Sequence, residues 1–417
     1  MAVSYVGSGG SLITSSIAQL VTFAILARSL GTNEFALYVT ITAFTNVAVQ
    51  ICGLGAQESL VRRVAQNAAD YPRMIGHGLL LTIGSFVLLL AVTLATLPFI
   101  TPASPDLVVN FGTIALLTVS TVFILRFVSL ATASYIARSN FIVANTVEVA
   151  FALVRMGAAL LACLVFGVTT VSAWSVWFFA AHLIVAIVAW YLIVRLGRPH
   201  YTIVREEIRI GALFSTQFIF KAIRQNTDIV VLGLLTSPEI VSSYGVARRV
   251  LDSSYLSVEA LNRLIYPGSA VVLLGGFHVA FNRVRKVALA AFVIGVAAAS
   301  AVYVLSPLMP ELFGHAYPSM VAFTRAICWL VIPIAMSAVA LESFGAAGRQ
   351  DVRAIIYNSA NIGAAILVAA VTWMAGINGA FGSSYVVEIA TALAAWAVLL
   401  RFVQADRSRD MSAVPAQ

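Results

Sequence analysis

The chain has 417 residues, of which 61% are hydrophobic and only 10% charged, with a formal net charge of +8. A soluble domain averages roughly 45–50% apolar and 25% charged residues, so this sequence has too few polar side chains to cover its apolar content with a water-facing surface. A basic balance serves nucleic acid only when the cations lie on a solvated face. Here they stand at the ends of apolar runs and inside them, which excludes nucleic acid as a partner and makes a lipid bilayer the expected solvent.

A membrane-spanning helix needs about 20 mostly apolar residues. Such stretches are predicted near residues 8–30, 36–57, 77–100, 107–131, 141–166 and 171–194, then 211–235, 240–265, 287–308, 318–344, 354–375 and 379–402. The first is the least apolar, with Ser8, Ser11, Thr14, Ser15, Ser16, Gln19 and Thr22, which suits a helix that faces protein or water. The first 27 residues contain no Lys or Arg, so the basic start of a cleavable signal is missing and this stretch is expected to be retained. Cys52, Cys163 and Cys328 lie in apolar segments without metal-ligand spacing and read as small buried residues. No metal or cofactor is expected.

Orientation follows from the short connections. One set holds Arg62, Arg63 and Arg73; Arg138; Arg195, Arg198, Arg205 and Arg209; Arg283, Arg285 and Lys286; Arg349 and Arg353; and, in the tail, Arg407 and Arg409. The other set holds no Lys or Arg: residues 31–34, 101–106, the turn at Val168, 237–239, 310–317 and the turn at Gly376. The basic set is expected in the cytoplasm, with both termini. The halves repeat weakly. Residues 30–38 parallel 235–244, 71–73 parallel 281–283, the pair Pro98/Pro102 parallels Pro307/Pro310, and 136–140 parallel 346–350. Parallel repeats suggest two lobes around a central cavity. The predicted fold is therefore an all-α polytopic membrane protein of about twelve transmembrane helices in two six-helix bundles related by pseudo-twofold symmetry. The bundles are expected at 1–195 and 211–404, with a cytoplasmic linker at 196–210 and a tail at 405–417. Bending is expected at Gly7–Gly10 and at Pro333.

Ionisable groups inside a bilayer cost at least about 2.5–3.5 kcal/mol each and are turned toward a cavity or a partner. Span seven carries Lys221, Arg224, Gln225 and Asp228 on one helical face; span eight carries Arg248, Asp252, Tyr255, Glu259 and Asn262 at steps of three and four. Span five carries Glu148 and Arg155, span four Arg126, span ten Arg325, and Arg28 ends span one. Snorkelling accounts for Arg28, Arg126 and Arg325 as readily as ligand binding does, and Arg224–Asp228 and Arg248–Asp252 can be read as structural pairs. Arg155 and Lys221 are the cations that those readings explain least. A cation-rich interior suits an anionic passenger, and guanidinium suits phosphate in particular, because its planar fork donates two parallel hydrogen bonds. Tyr135, Trp174, Trp177, Tyr255 and Tyr266 could stack on sugars, although packing and interfacial roles are the commoner use of such residues.

The stretches ILARSLGTNEFALYVTITAF (25–44), GLGAQESLVRRVA (53–65) and NTDIVVLGLLTSPEIVSSYGVARRV (226–250) give the sequence a family likeness. It resembles the polysaccharide (O-antigen and exopolysaccharide) flippases of the MATE-like multidrug/oligosaccharidyl-lipid/polysaccharide exporter superfamily. One departure is Gly31-Thr32, where that family often has Gly-Pro. The resemblance implies a two-bundle, twelve-helix exporter in the bacterial inner membrane. Such exporters move a polyprenyl-pyrophosphate-linked oligosaccharide between leaflets by alternating access. The chain is expected to act as a monomer, with membrane lipids and polysaccharide polymerase or assembly proteins as expected partners. On that reading Arg155, Lys221, Arg224 and Arg248, with Arg126 and Arg28, are the cationic substrate-binding candidates, and Asp228, Asp252 and Glu148 the ion-coupling candidates. The rival readings are a drug/cation antiporter of the same fold, a peptidoglycan-precursor flippase, a glycan polymerase or ligase, and a scaffold. The polymerase is disfavoured by the short outer connections, and the scaffold by the intramembrane charges. No nucleotide-binding, zinc-protease or serine-hydrolase motif is present, so no catalytic residue is expected.

Overall fold

The computed structural model describes residues 2–100, 110–273 and 277–413, with side chains at 10–100, 110–255, 258, 277, 280 and 281–407. The connection at 101–106 and the side chains of Ser8, Glu259, Asn262, Tyr266 and Arg409 lie outside the described residues.

Every regular element among the described residues is helical. The first, α1 (Ala2–Ile51), breaks only at Gly31, whose φ of 67° and ψ of 176° are open to glycine alone. The four-residue connection expected there is a one-residue break, and the helix continues without interruption through Gly7–Gly10. Its first half is two-faced. Ser11, Ser15, Ala18 and Thr22 are buried along one stripe, with the Thr22 hydroxyl donating to the Ala18 carbonyl (2.7 Å), while Ile13, Ile17 and Val21 are exposed on the opposite side. The hydroxyl face thus meets protein, as the sequence indicated, and the isoleucine face suits lipid.

Span two was expected to run to residue 57. It stops at Ile51 because Gly53, Leu54 and Gly55 all take positive φ (81°, 47° and 72°). A separate helix follows, α2 (Ala56–Gln66), which buries Ala56, Ser59, Leu60 and Val64. Next come α3 (Tyr71–Ile100), α4 (Phe111–Thr118), α5 (Leu125–Ile136), α6 (Phe141–Ala159) and α7 (Val171–Leu196). π-Helical turns at Val119–Ile124 and Leu160–Val165 lead into α5 and extend α6. Two long helices carry the charged stripes, α8 (Arg205–Leu235) and α9 (Pro238–Leu273). They are followed by α10 (Phe277–Leu305), the short α11 (Met309–Phe313), α12 (Met320–Ile327), α13 (Val331–Ala346) and α14 (Gln350–Ala413). The predicted tenth span is divided by a 3₁₀ turn at Cys328–Leu330, just before Pro333. Proline removes an amide donor and clashes with the preceding turn. α14 breaks at Gly376 (φ 56°), where a turn was expected.

Among the described residues, eight helices are long and apolar enough to cross a membrane. Two of them are the broken α1 and α14, whose candidate stretches of 42 and 58 residues are each long enough for two crossings. α8 and α9, with 31 and 36 residues, have the length but carry the charges. The set is consistent with twelve crossings in a multi-pass membrane protein.

The chain divides into two compact units, Met1–Gly245 with Pro310–Pro318, and Val246–Met309 with Ser319–Gln417. The first has a core around Leu60, Tyr71, Ile75, Leu130, Phe151 and Ile193. The second is built around Leu251, Phe277, Phe344 and Leu399, with the rings of Phe277 and Phe344 5.7 Å apart. Residues 310–318 join the first unit by clasping α1 beside its break. Arg28 Nη1 donates to the Glu311 carbonyl (3.0 Å), Thr32 Oγ1 to that of Ala316 (3.1 Å), and the buried Tyr317 hydroxyl to that of Ala27. Glu34, just past the break, accepts from the Val171 amide (2.6 Å) and so supplies negative charge at the start of α7.

Candidate functional site

α6 and α8, which carry Arg155, Lys221 and Arg224, both pack against α1 in the first unit. Asn140 starts α6 by accepting from the Val143 amide (3.3 Å). Four turns further on Arg155 is half-buried, its guanidinium carbon 5.4 Å from the Phe151 ring centroid, one turn earlier on the same face. Phe151 stands edge-on to His182 of α7 at 4.8 Å, and His182 shares a 2.7 Å hydrogen bond between Nδ1 and the Phe178 carbonyl. His182, 1% exposed, lies in electrostatic range of Arg155. Sequence reading passed over this histidine, because one imidazole in an apolar span gives no spacing to recognise.

On α8 the stripe grades from exposed Lys221 through half-buried Arg224 to Asp228, which is 2% exposed. Asp228 Oδ2 accepts from the Tyr244 hydroxyl of α9 (2.5 Å) and Oδ1 from the Ile229 amide (2.8 Å). Tyr244 is the tyrosine of the 226–250 motif, so the motif's acid and its tyrosine are hydrogen-bonded to each other. Glu148 is exposed on α6. Arg248, half-buried, and Asp252, exposed, stand on α9 in the second unit.

Two other candidates have backbone partners. Arg126 Nε donates to the Val49 carbonyl (3.1 Å), where its Nη2 also binds, and Nη1 donates to Gln57 Oε1 (3.0 Å). A cation there serves the orphan carbonyl and the negative end of α1. Arg28 is exposed and ties α1 to Glu311 as described. In the second unit Arg325 donates to Ser306 Oγ (2.9 Å) and lies 4.9 Å over the Tyr303 ring. Among the aromatic candidates, Trp174 is fully buried, and Tyr135 donates to the Leu192 carbonyl (3.2 Å).

At the arginine-rich end of the first unit, Glu207 opens α8 with its side chain sealed from solvent. Arg62 Nη2 reaches both carboxylate oxygens (2.9 and 2.8 Å), and Arg63 Nε donates to Oε1 (2.6 Å). Burial pushes this carboxyl up, but the hydrogen bonds from Arg63 and Arg62 outweigh it and hold Glu207 below the usual carboxylate range. This clasp fixes the start of the helix that presents Lys221 and Arg224. Among the described residues, no group of His, Cys, Asp and Glu is arranged to hold a metal.

Residues 8–261 match the model of a family described as polysaccharide biosynthesis protein. The chain belongs to that family. The match spans the three motif stretches, and with it the charged helices α8 and most of α9. No curated protein sequence matches. Among solved structures, this family member is similar to the lipid II flippase MurJ in its inward closed conformation, with a TM-score of 0.75 and 11% identity over 95% of this chain and 90% of that one. It is also similar to a multidrug resistance MATE family transporter of the MOP superfamily. The inward-facing form gives a TM-score of 0.69, with 12% identity over 94% of this chain and 96% of that one. The outward-facing form gives 0.65, with 13% identity over 97% and 96%. At these identities the likeness shows the fold alone, an all-helical architecture of many long apolar helices shared with these transporters.

Proposed function

We propose that this polysaccharide biosynthesis protein is a flippase that moves a polyprenyl-pyrophosphate-linked oligosaccharide across the bacterial inner membrane by alternating access, supplying O-antigen, capsule or exopolysaccharide synthesis. The observation that carries this reading is the set of cations on helices long enough to cross a bilayer, Arg155 on one that is also apolar enough, in a chain of this family. Arg155, Lys221, Arg224 and Arg248 offset the charge of the pyrophosphate, the glycan travels with it, and the polyprenyl tail stays in lipid. Arg126 and Arg28 support the framework through the backbone carbonyls that they hold. Asp228, Asp252 and Glu148 are the groups proposed to couple transport to an ion gradient. The lobes are proposed as 1–195 and 211–404, joined by a linker at 196–210, with both termini in the cytoplasm. A cation-exporting function fits less well, because a positive passenger would be repelled by the same residues.

The test is made in a deletion strain. Loss of the protein is expected to leave the lipid-linked glycan in the cytoplasmic leaflet, and the wild-type gene to restore export. Arg155→Ala and Lys221→Ala are expected to abolish restoration at normal protein level. Full restoration by both variants refutes their roles, and unchanged glycan distribution in the deletion strain refutes the function.

A further inference from the structure

A second charged site lies at the arginine-rich end of the first unit, apart from the intramembrane cations. A cavity of about 330 Å³ opens there between the turn before α3, the first turn of α3 and the start of α8. Its charged lining is Arg63, Asp70, Arg73, Arg205 and Glu206, with Met74, Ile203 and Val204 as the apolar part. Arg73 and Arg205 are exposed and make no ion pair among the described residues. The third lining guanidinium, Arg63, is already engaged by Glu207 at 2.6 Å and lies 3.9 Å from Glu206. Among the described residues Val204, the N-cap of α8, gives no side-chain cap of its own, and its amide donates to His77 Nδ1 (3.1 Å); the first-turn amides beyond it add a positive partial charge on this side.

Position and lining together indicate the occupant. The helical run through α3 begins at Ala68 and its apolar span is predicted from about residue 77, so Arg73 stands about one turn outside that span and Asp70 about two. The polar layer on each side of the hydrocarbon is about 5–7 Å thick, roughly one helical turn, which puts the rim among lipid headgroups. Tyr201 and Ile203, 57% and 44% exposed on the segment leading into α8, suit that boundary better than open water. With Arg63 taken by Glu207, a simple anion would meet two carboxylates, Asp70 and Glu206, as well as the guanidinia of Arg73 and Arg205. A head carrying both signs meets a partner for each. We propose that this cavity binds a phospholipid headgroup of the phosphoethanolamine class, with the phosphate at Arg73, Arg205 and the first turn of α8, and the ammonium at Asp70 and Glu206. A phosphocholine head has no N–H to donate to the carboxylates, and a phosphoglycerol head has no cation.

The test uses the full chain, purified in mild detergent, stripped of lipid and offered phosphatidylethanolamine, phosphatidylcholine or phosphatidylglycerol, with retained lipid read by native mass spectrometry. Phosphatidylethanolamine is expected to be retained several-fold over the other two. Arg73→Ala with Arg205→Ala is expected to remove that retention. Asp70→Asn with Glu206→Gln, which leaves the arginines in place, is expected to equalise phosphatidylethanolamine and phosphatidylglycerol. Equal retention of the three lipids by the wild type overturns the proposal, as does an unchanged preference in either variant pair eluting as a folded monodisperse protein. Glycerophosphoethanolamine or inorganic phosphate displacing the lipid at equal concentration would overturn the assignment to a membrane lipid.

Discussion

Gly211→Ala reverses the usual sign of a glycine-to-alanine change in a helix. Gly211 lies in the second turn of α8, where intrinsic propensity favours alanine by about 1 kcal/mol. An added Cβ would stand 2.8 Å from the carbonyl oxygens of both Gly55 and Leu54 and 3.0 Å from the Gly55 carbonyl carbon. Those atoms are backbone in a turn with three successive positive φ values, so they have no rotamer with which to yield. Overpacking of this kind costs about 1–3 kcal/mol, and backbone against backbone belongs at the upper end. The net expectation is a loss of about 1–2 kcal/mol after the propensity gain, read as a lower melting temperature of the purified protein in detergent. Gly84→Ala in α3 is the control, because nothing lies within 4 Å of its Cβ; it is expected to be neutral or to raise the melting temperature. Gly55→Ala, whose Cβ would fall on the Gly211 carbonyl and whose φ is 72°, is expected to be worse than Gly211→Ala. If Gly211→Ala melts as high as Gly84→Ala, the close approach of α8 to the α1–α2 turn is refuted.

Glu207→Gln is expected to lower stability by about 1–3 kcal/mol at neutral pH, because buried charged hydrogen bonds are lost. The carboxyl is depressed in the folded state, so its contribution is complete above the ordinary carboxylate range and is lost as pH falls through the lower folded value. Melting curves of wild type and variant should therefore converge in acid; a constant gap contradicts the clasp. Tyr317→Phe removes the buried hydroxyl that serves the Ala27 carbonyl and is expected to cost about 1–2 kcal/mol, with Tyr317→Ala costing about 3–5 kcal/mol. Equal melting of all three proteins would show that residues 310–318 do not clasp α1. Glu34→Ala should cost about 0.5–2 kcal/mol through the start of α7, and Glu34→Gln less, because it keeps an acceptor for the Val171 amide; a larger loss in the glutamine variant would contradict this.

The fold was legible because hydropathy over about 20 residues is a strong signal, and the breaks at Gly31 and Gly376 were marked by residues that tolerate positive φ. The hydroxyl-rich face of α1 was readable for the same reason: only protein or water accepts it. What escaped was local or non-local geometry. The Gly-Leu-Gly turn ahead of α2 was hidden inside an apolar run. The pairing of α1 with residues 310–318 depends on side chains about 283 positions apart, which no periodicity reveals. The site was legible as a list of charges but not as partners. Arg126 proved to serve the end of α1, Asp228 to be bonded to Tyr244, and Arg155 to lie near Phe151, which stands edge-on to a histidine with no recognisable spacing.

The most direct test of the cationic pathway is translocation of a fluorescent polyprenyl-pyrophosphate oligosaccharide in proteoliposomes containing the purified protein. Movement is expected to require the pyrophosphate, failing with the uncharged polyprenyl glycoside, and to be lost in Arg155→Ala with Lys221→Ala. Equal rates for the charged and uncharged lipids, or for the wild type and the double variant, would contradict the account.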